Sequence, residues 1–580
     1  MADTPTQRVL PFLLLLVLSA AIFLGGLGRL PLLGRDESLY AEAAREMAAS
    51  GDWVTPRVNG GAFLEKPPLY YWMAGASVKA FGVSPFAVRL PAALAAIFTV
   101  LLTAAIGARV WGRRAGLLAG LALATCLQMG IIGRMGIMDV PLALLVSLAL
   151  LAYASWATTG GFLPAAAFGA CVGLGVLLKG AAGLLPVAVA LVDTFGRRVV
   201  CRAGVPTGQP TPAASEHPAC NLPRALLTAV VAAAVCAAVA APWFLAMHAR
   251  HGAAFGGTFV LHEHLQRILR PMQGHGGAFW VYLPVIFLGF FPWVVFLPGG
   301  MLRRSEEDTT SQRFWRRLSV VWIAVVLVGF SSVRTKLPGY VMPLFPPMAL
   351  LAGAELDRRL SKPGWGHWVS VIIGGLGLAA LTALLPGRVR PLAATVGGEG
   401  AVAQLAPGVM VWMAAYLLMV LGALTVLARA EVGGLSMIAA GQLAVVGAVL
   451  TGILPIICPY LEGGREYRLA QEARILEHAR RQDTLGITLL YDTRPEAVAF
   501  VLQHPVPAFD RDHQAEILAE LRARLQSGSG APVAGQASAL VIAPAKDQAL
   551  FEEFAVDELA RVGDRVLLDV RPARQAWPVQ

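Results

Sequence analysis

The chain has 580 residues, of which 56% are hydrophobic and only 14% charged, more apolar surface than one soluble core can hide. Its formal net charge of +11 does not mark a nucleic-acid binder, because the Arg clusters punctuate apolar segments and form no compact basic patch interleaved with aromatics. Its six cysteines lie far apart with no CxxC pair, which argues against a disulfide framework or a cysteine-zinc site.

A bilayer core takes about 20 apolar residues per helix. Runs of that kind fall near 9–29, 85–108, 115–133, 138–157, 161–178, 182–196, 225–247, 277–302, 318–331, 338–356, 366–386, 407–428 and 434–456. They predict a polytopic α-helical membrane protein with about thirteen spans. The first run has no convincing small-residue cleavage site and ends in Arg-Leu-Pro, so it reads as a retained helix.

The segment between the first two spans, about residues 30–84, is too long for a simple connector. It opens with GRDESLYAEAAREM, which sets Asp36 and Glu37 side by side just after an apolar run, and its apolar spacing predicts a helix lying along the interface. GDWVTPRVNGGAFLEKPPLYYW follows, where Trp53, Tyr70, Tyr71 and Trp72 have the amphipathic rings favoured at headgroup depth. Pro67 and Pro68 stiffen the backbone directly after Glu65 and Lys66.

Further along, GRMGIMD contributes Arg134 and Asp139, and LLKGAAG contributes Lys179 near a membrane end. A second long loop, about 248–276, contains LHEHLQRILRP with His262, Glu263, His264, Arg267 and Arg270; SSVRTKLPGYVMP adds Arg334, Lys336 and Tyr340. Ionisable residues near the bilayer are costly, so each is a functional candidate. The cationic connections at 111–114, 196–198, 303–304, 313–317 and 357–362 fall on one side if the spans alternate. The positive-inside bias makes that side cytoplasmic and turns the 30–84 loop outward. An odd number of spans then puts the C-terminal segment outside as well. There 485–492, 539–545 and 565–570 read as strands, with helical spacing in PEAVAFVL, QAEILAELRARL and DQALFEEFA between them. A small soluble α/β domain at 461–580 is expected to follow a membrane domain at 1–460. It carries no Gly-rich phosphate fingerprint.

Carboxylates combined with Lys, Arg and Tyr at an outer interface suit a lipid-linked phosphate: Arg and Lys hold its oxygens and stabilise a leaving charge. A neighbouring carboxylate can take a proton from an attacking hydroxyl, help typically worth about 10²–10⁴-fold in rate.

On RDESLYAEAAREM, GDWVTPRVNGGAFLEKPPLYYW, GRMGIMD, LHEHLQR and RTKLPGYVMPLFP, the chain resembles the C-type (GT-C) polyprenyl-phosphate-dependent membrane glycosyltransferases. Within them it is most similar to the bacterial lipid A 4-amino-4-deoxy-L-arabinose (aminoarabinose) transferases. The resemblance implies an inverting enzyme of the bacterial inner membrane, with its active site and C-terminal domain in the periplasm. Such an enzyme takes aminoarabinose from undecaprenyl phosphate and places it on a lipid A phosphate. The partners implied are the undecaprenyl phosphate-linked donor, the lipid A acceptor and membrane lipids, with no nucleic acid and a monomeric chain.

Carried over by residue, Asp36 resembles the first-loop catalytic carboxylate and Asp139 the second acidic residue of the site. Lys66, Arg267 and Tyr340 resemble ligands of the carrier phosphate, and Glu65 with His262 a family metal site, zinc being the expected ion. Glu37, Tyr70, Lys179 and Arg334 are further candidates for binding substrate; no organic cofactor is expected. A lipid A phosphate is already anionic at neutral pH, so Asp36 either orients the acceptor, binds the sugar's amino group, or acts as a base. Glu65 and His262 give two ligands, short of the three or four usual for zinc.

Other readings stay open on the sequence alone. Asp36 and Glu37 would also suit the positive end of the helix that follows. Lys66 and Arg267 would also serve as headgroup anchors, and Lys179 could simply pair with Asp139. A transporter would use Asp36, Asp139 and Lys179 as a coupling relay, and a related transferase would carry another sugar or acceptor.

Overall fold

The computed structural model describes residues 5–202, 221–259, 278–291, 293–303, 307–361, 464–480, 488–527 and 539–572. The spans expected at 366–386, 407–428 and 434–456, and the domain boundary at 460, lie outside the described residues, as do His262 and Arg267.

Helix α1 (Pro5–Leu24) is followed by α2 (Gly34–Ser50). A short hairpin of β1 (Arg57–Val58) and β2 (Gly61–Ala62) leads to α3 (Leu69–Phe81) and α4 (Pro85–Trp111). Ser84 caps α4 by accepting from the Ala87 amide at 3.3 Å, and Pro85 occupies the first turn, where its missing N–H is no loss. The run expected as one span at 115–133 is two helices, α5 (Arg113–Thr125) and α6 (Leu127–Ile132), separated at Cys126, whose backbone is extended. Helix α7 (Asp139–Thr159) returns, and α8 (Phe162–Lys179) packs beside it. At Gly180 (φ 58°) the chain reverses: a Cβ on Gly175 would lie 3.1 Å from the Gly183 Cα, and α9 (Leu185–Arg202) runs back along α7.

Helix α10 (Leu222–Gly256) extends into the segment expected as the second long loop, and the next described helices are two short ones, α11 (Tyr282–Phe290) and α12 (Leu297–Leu302). The run 277–302 was expected to be one span. Its halves Phe279–Phe290 and Trp293–Leu302 are instead inclined at 105°. The break falls at Phe291, which is extended and precedes a proline, a position where helical backbone is disfavoured. Helix α13 (Thr310–Ser332) starts in a capping box between Thr309 and Gln312, and α14 (Phe345–Ser361) completes the described membrane part.

Five apolar runs among the described residues are long enough to cross a bilayer: Pro85–Trp111, Asp139–Thr159, Phe162–Arg197, Leu222–Phe259 and Thr310–Ser332. The outward-pointing Leu163, Phe195, Leu226 and Val230 present apolar surface suited to lipid. Close packing comes from small residues, as where a Cβ on Gly107 of α4 would meet the Gly116 Cα of α5 at 2.8 Å.

The helices alternate in direction, so their charged groups sort to two ends. At one end Arg197 and Arg317 flank the buried Asp193 at 2.9 and 2.8 Å, Arg358 and Arg359 hold Glu355, each at 2.6 Å, and Arg114 pairs with Asp357. These are the cationic connections that the sequence places together. The opposite end carries α2, Asp139, Lys179 and Tyr340.

The C-terminal part begins with α15 (Gly464–Arg480) and continues through β3 (Thr488–Tyr491), α16 (Glu496–Leu502), β4 (Ala508–Phe509), α17 (Gln514–Ser527), β5 (Ala539–Pro544), β6 (Ala555–Val562) and β7 (Arg565–Arg571). The sheet order is β4-β3-β5-β7-β6, with β3 parallel to both neighbours and β7 antiparallel to β5 and β6. The three strands expected from sequence are β3, β5 and β7. Segment DQALFEEFA, expected to be helical, forms only a short 3-10 turn and then enters edge strand β6.

This part does not hang from the membrane domain by a tether; the two share a core. Leu32, Ala41, Val78 and Val88 pack in one cluster with Tyr467, Ala470, Val498 and Val501. Polar contacts fix the register of that docking. The Asn59 amide donates to the Val506 carbonyl at 3.0 Å and accepts from the Val506 N–H at 2.7 Å, while Arg45 donates to the Gln503 carbonyl at 3.1 Å. Asn59 sits at φ 52°, which Asn tolerates better than most residues. Replacing Asn59 by Ala removes both bonds and the tolerance, and should cost about 1–3 kcal/mol. Hydrogen exchange should show faster opening of 464–502 in that variant, with the membrane helices unchanged.

Candidate active site

Helix α2 carries both first-loop carboxylates, but 100° of helical rotation separates their fates. Asp36 is exposed on the first turn. Glu37 is fully buried and saturated. Its two oxygens receive Arg89 Nε and Nη2 at 2.7 and 2.8 Å, the Leu33 amide at 2.6 Å and the Gly136 amide at 2.6 Å. Arg89 gives its remaining donors to the Leu27, Leu30 and Pro31 carbonyls. The substrate-binding role expected for Glu37 is therefore corrected: no acceptor on it remains, and the pair locks the loop entry onto α4.

Tyr70 is corrected likewise. Expected among rings at headgroup depth, it is fully buried and its hydroxyl donates to the Val88 carbonyl at 3.0 Å, while Tyr71 is buried beside it. Arg134 caps the end of α1 through the Ile22 and Gly25 carbonyls.

The remaining polar groups converge one turn along α2 from Asp36. Tyr40, spaced i+4 from Asp36 and so on the same face, is almost fully enclosed. Burial pushes its phenol well above its usual pKa, and the nearby charges of Asp36, Tyr71, Asp139 and Tyr340 push the same way. That shared influence sets Tyr40 in the neighbourhood of both candidate carboxylates. Asp139 opens α7, and its Oδ1 receives Lys179 Nζ at 2.7 Å from the end of α8. The same ammonium stands 4.7 Å from the Tyr340 ring centre. Lys179 is thus brought to Asp139 and Tyr340 together, whether it acts on substrate or only as a partner for Asp139.

Tyr340 is positioned by the 3-10 turn Pro338–Leu344, itself tied down by Gln128 donating to the Pro338 carbonyl at 2.6 Å. A Cβ on its neighbour Gly339 would lie 2.9 Å from the Asp139 carboxyl carbon. Gly339→Ala should push that carboxylate off the Lys179 ammonium and lower turnover about 10²-fold, the scale of a displacement near 1 Å in a catalytic group. Unchanged turnover in a folded Gly339→Ala protein would separate this pair from the chemistry. The Lys336 ammonium caps the end of α13 through the Phe330, Ser331 and Val333 carbonyls. Arg334 is exposed.

Glu65 and Lys66 are half-buried in the aromatic loop. That loop is fastened to the end of α10. Trp243 donates to the Val54 carbonyl at 2.9 Å, Arg250 pairs with Asp52 at 2.8 Å, and Leu64 and Leu69 pack with Trp243, Phe255 and Phe259. Desolvation raises the Asp52 carboxyl, but the Val54 amide, Arg250 and the Thr55 amide together outweigh it and hold its pKa below the usual value. Among the described residues no group of three or more His, Cys, Asp or Glu forms a metal site.

Sequence reasoning passed over Tyr40 and Gly339. The i+4 spacing could have found the first; nothing local marks the second. As a whole, an exposed carboxylate stands beside a phenol-rich cluster with a held ammonium, at the membrane end that carries an amphipathic helix. Such a site can hold an anionic head group against a carboxylate.

Residues 65–205 match the family described as dolichyl-phosphate-mannose-protein mannosyltransferase. The undecaprenyl phosphate-α-4-amino-4-deoxy-L-arabinose arabinosyl transferase of Aeromonas salmonicida is 31% identical over 402 residues, which are 68% of this chain and 68% of that protein. The protein of the same name from Pectobacterium carotovorum is 30% identical over 397 residues, 65% of either chain. Among solved structures, ArnT from Cupriavidus metallidurans bound to undecaprenyl phosphate matches with a TM-score of 0.73 at 23% identity, over 98% of each chain. Its apo form gives 0.71 over 96% of this chain and 97% of that one. The fold is therefore that of a C-type glycosyltransferase with a C-terminal α/β part.

Proposed function

This chain belongs to the undecaprenyl phosphate-α-4-amino-4-deoxy-L-arabinose arabinosyl transferases, and from that membership we propose that it moves 4-amino-4-deoxy-L-arabinose from undecaprenyl phosphate to a lipid A phosphate. The reaction takes place at the periplasmic face of the inner membrane, on a monomeric chain. The observation that carries this reading is the gathering of Asp36, Tyr40, Asp139, Lys179 and Tyr340 at one membrane end, under the interfacial helix, where two lipid-linked substrates can meet.

In the proposed step an oxygen of the lipid A phosphate attacks the anomeric carbon. The bond from that carbon to the carrier phosphate breaks, and undecaprenyl phosphate leaves with the electron pair. One displacement inverts the anomeric centre. The attacking oxygen is already anionic, so no proton has to be removed. Asp36 instead faces the positive charge that develops at the anomeric carbon as the bond loosens. Lys66, Arg267 and Tyr340 hold the carrier phosphate, and Asp139 holds Lys179 in place beside it. Arg334, exposed on the same side, meets lipid head groups.

Glu65 with His262 is proposed as the place for a divalent ion, zinc by its ligand chemistry. Glu65 is the one ligand of that pair within the described residues, and a single phosphate is neutralised by Lys and Arg without a metal. No step runs through the ion.

The test is transfer by purified protein in lipid nanodiscs, with no ion gradient, before and after dialysis against a chelator. The native chain should transfer aminoarabinose in both states, and Lys66→Ala should raise the donor KM about tenfold or more, the effect of losing one charged hydrogen bond. Loss of transfer on chelation, restored by zinc, would give the ion a direct part. An unchanged donor KM in Lys66→Ala would move the carrier phosphate elsewhere.

A further inference from the structure

Immediately before Asp36, Gly34 and Arg35 leave the cluster described above and line a separate cavity of about 520 Å³ between α2 and the C-terminal domain. Its far wall is the carboxyl edge of the parallel strands: Thr493 and Arg494 follow β3, Phe509 and Asp510 end β4, and Arg565 starts β7 opposite the end of β5. The chain leaves β3 for β4 on one side and comes back to β5 on the other. Connections that diverge in this way open a crevice at the strand ends, which is where open α/β sheets take ligands.

The wall carries three arginines, Arg35, Arg494 and Arg565, and four acids, Glu466, Asp492, Glu496 and Asp510. The acids are already partnered: Asp492 pairs with Arg511 at 3.1 Å, Asp510 accepts from its own neighbours Asp512 and His513, Glu466 lies 3.9 Å from Arg565, and Glu496 has a partner as well. Arg565 is held in place by donating to the Asp492 carbonyl at 2.6 Å and the Thr493 hydroxyl at 3.0 Å. Arg35 has a buried Nε with no hydrogen-bond partner. A buried guanidinium donor left unsatisfied at a cavity wall is costly unless a ligand meets it. Guanidinium forks match phosphate, and ion-paired carboxylates beside them keep lone pairs that can accept from sugar hydroxyls. None of the residues assigned to the carrier phosphate lies in this wall.

We propose that the cavity between α2 and the C-terminal domain binds the phosphorylated saccharide head group of the acceptor lipid and so aligns the acceptor with Asp36. This rests on the transfer reaction proposed above. It also gives the C-terminal domain a role in recognition, because that domain supplies half of an acceptor subsite whose other half is the catalytic helix.

The probe is glucosamine 1-phosphate, with glucosamine as its control lacking the phosphate, read by saturation-transfer NMR on the full chain in nanodiscs. The phosphorylated sugar should give a signal that Arg35→Gln and Arg494→Gln each abolish and that Lys66→Ala keeps; Thr493→Val replaces any arginine variant that fails to fold. In steady-state transfer to lipid A, the folded arginine variants should raise the acceptor KM about tenfold or more, with the donor KM unchanged. No signal from the phosphorylated sugar, or a signal lost in Lys66→Ala and kept in the arginine variants, would overturn the subsite. If the native chain binds the probe but transfers no sugar to lipid A, the subsite stands and the reaction assigned above fails.

Discussion

Asp36→Asn is expected to leave the protein folded and the donor bound while turnover falls by about 10²–10³-fold, the scale seen when one preorganised electrostatic group is removed from a transition state. The substitution keeps shape and takes away charge. Asp36 is exposed on the first turn of α2, so its loss disturbs no packing. The carboxylate does its work only as positive charge gathers on the sugar, so kcat should fall and the donor KM should hardly move. A raised donor KM with kcat unchanged would mean that Asp36 binds ground state and transition state alike and does not favour the transition state.

The neighbouring carboxylate should fail in the opposite way. Glu37→Ala or Arg89→Met breaks a buried pair in which every oxygen and nearly every guanidinium donor is used. Removing one partner strands the other charge out of water, at a cost of about 3–5 kcal/mol. The expected result is a chain that unfolds at lower temperature and accumulates poorly in the membrane. The double substitution Glu37→Ala with Arg89→Met should cost less than the sum of the singles, because neither charge is left behind. Two adjacent acids thus separate cleanly: one change removes chemistry from a stable protein, the other removes the protein.

This contrast also shows where sequence ran out. The helix over 34–50, the spans of α4, α7 and α13, and strands β3, β5 and β7 were legible, because each follows from local periodicity. Asp139 and Lys179 were legible as ionisable groups at membrane ends, and they meet. Glu37 was misjudged because its partner Arg89 is 52 residues away and lies inside an apolar helix. Tyr70 was misjudged because a ring that suits an interface suits a core equally well. The break at Phe291 interrupts a run that is apolar throughout, so hydropathy joins what the backbone separates. Edge strands β4 and β6 are short or exposed along most of their length and carry little pattern. The docking of the C-terminal sheet on α2 rests on Asn59 and Val506, 447 residues apart, which no local reading reaches.

The most direct measurement is mass spectrometry of lipid A from a Gram-negative strain that lacks its own aminoarabinose transferase and expresses either the native chain or Asp36→Asn. Lipid A heavier by one aminoarabinose with the native chain, and unmodified with Asp36→Asn at equal membrane abundance, is the expected result. Unmodified lipid A with both would contradict the assigned donor and acceptor, and equal modification with both would remove Asp36 from the reaction.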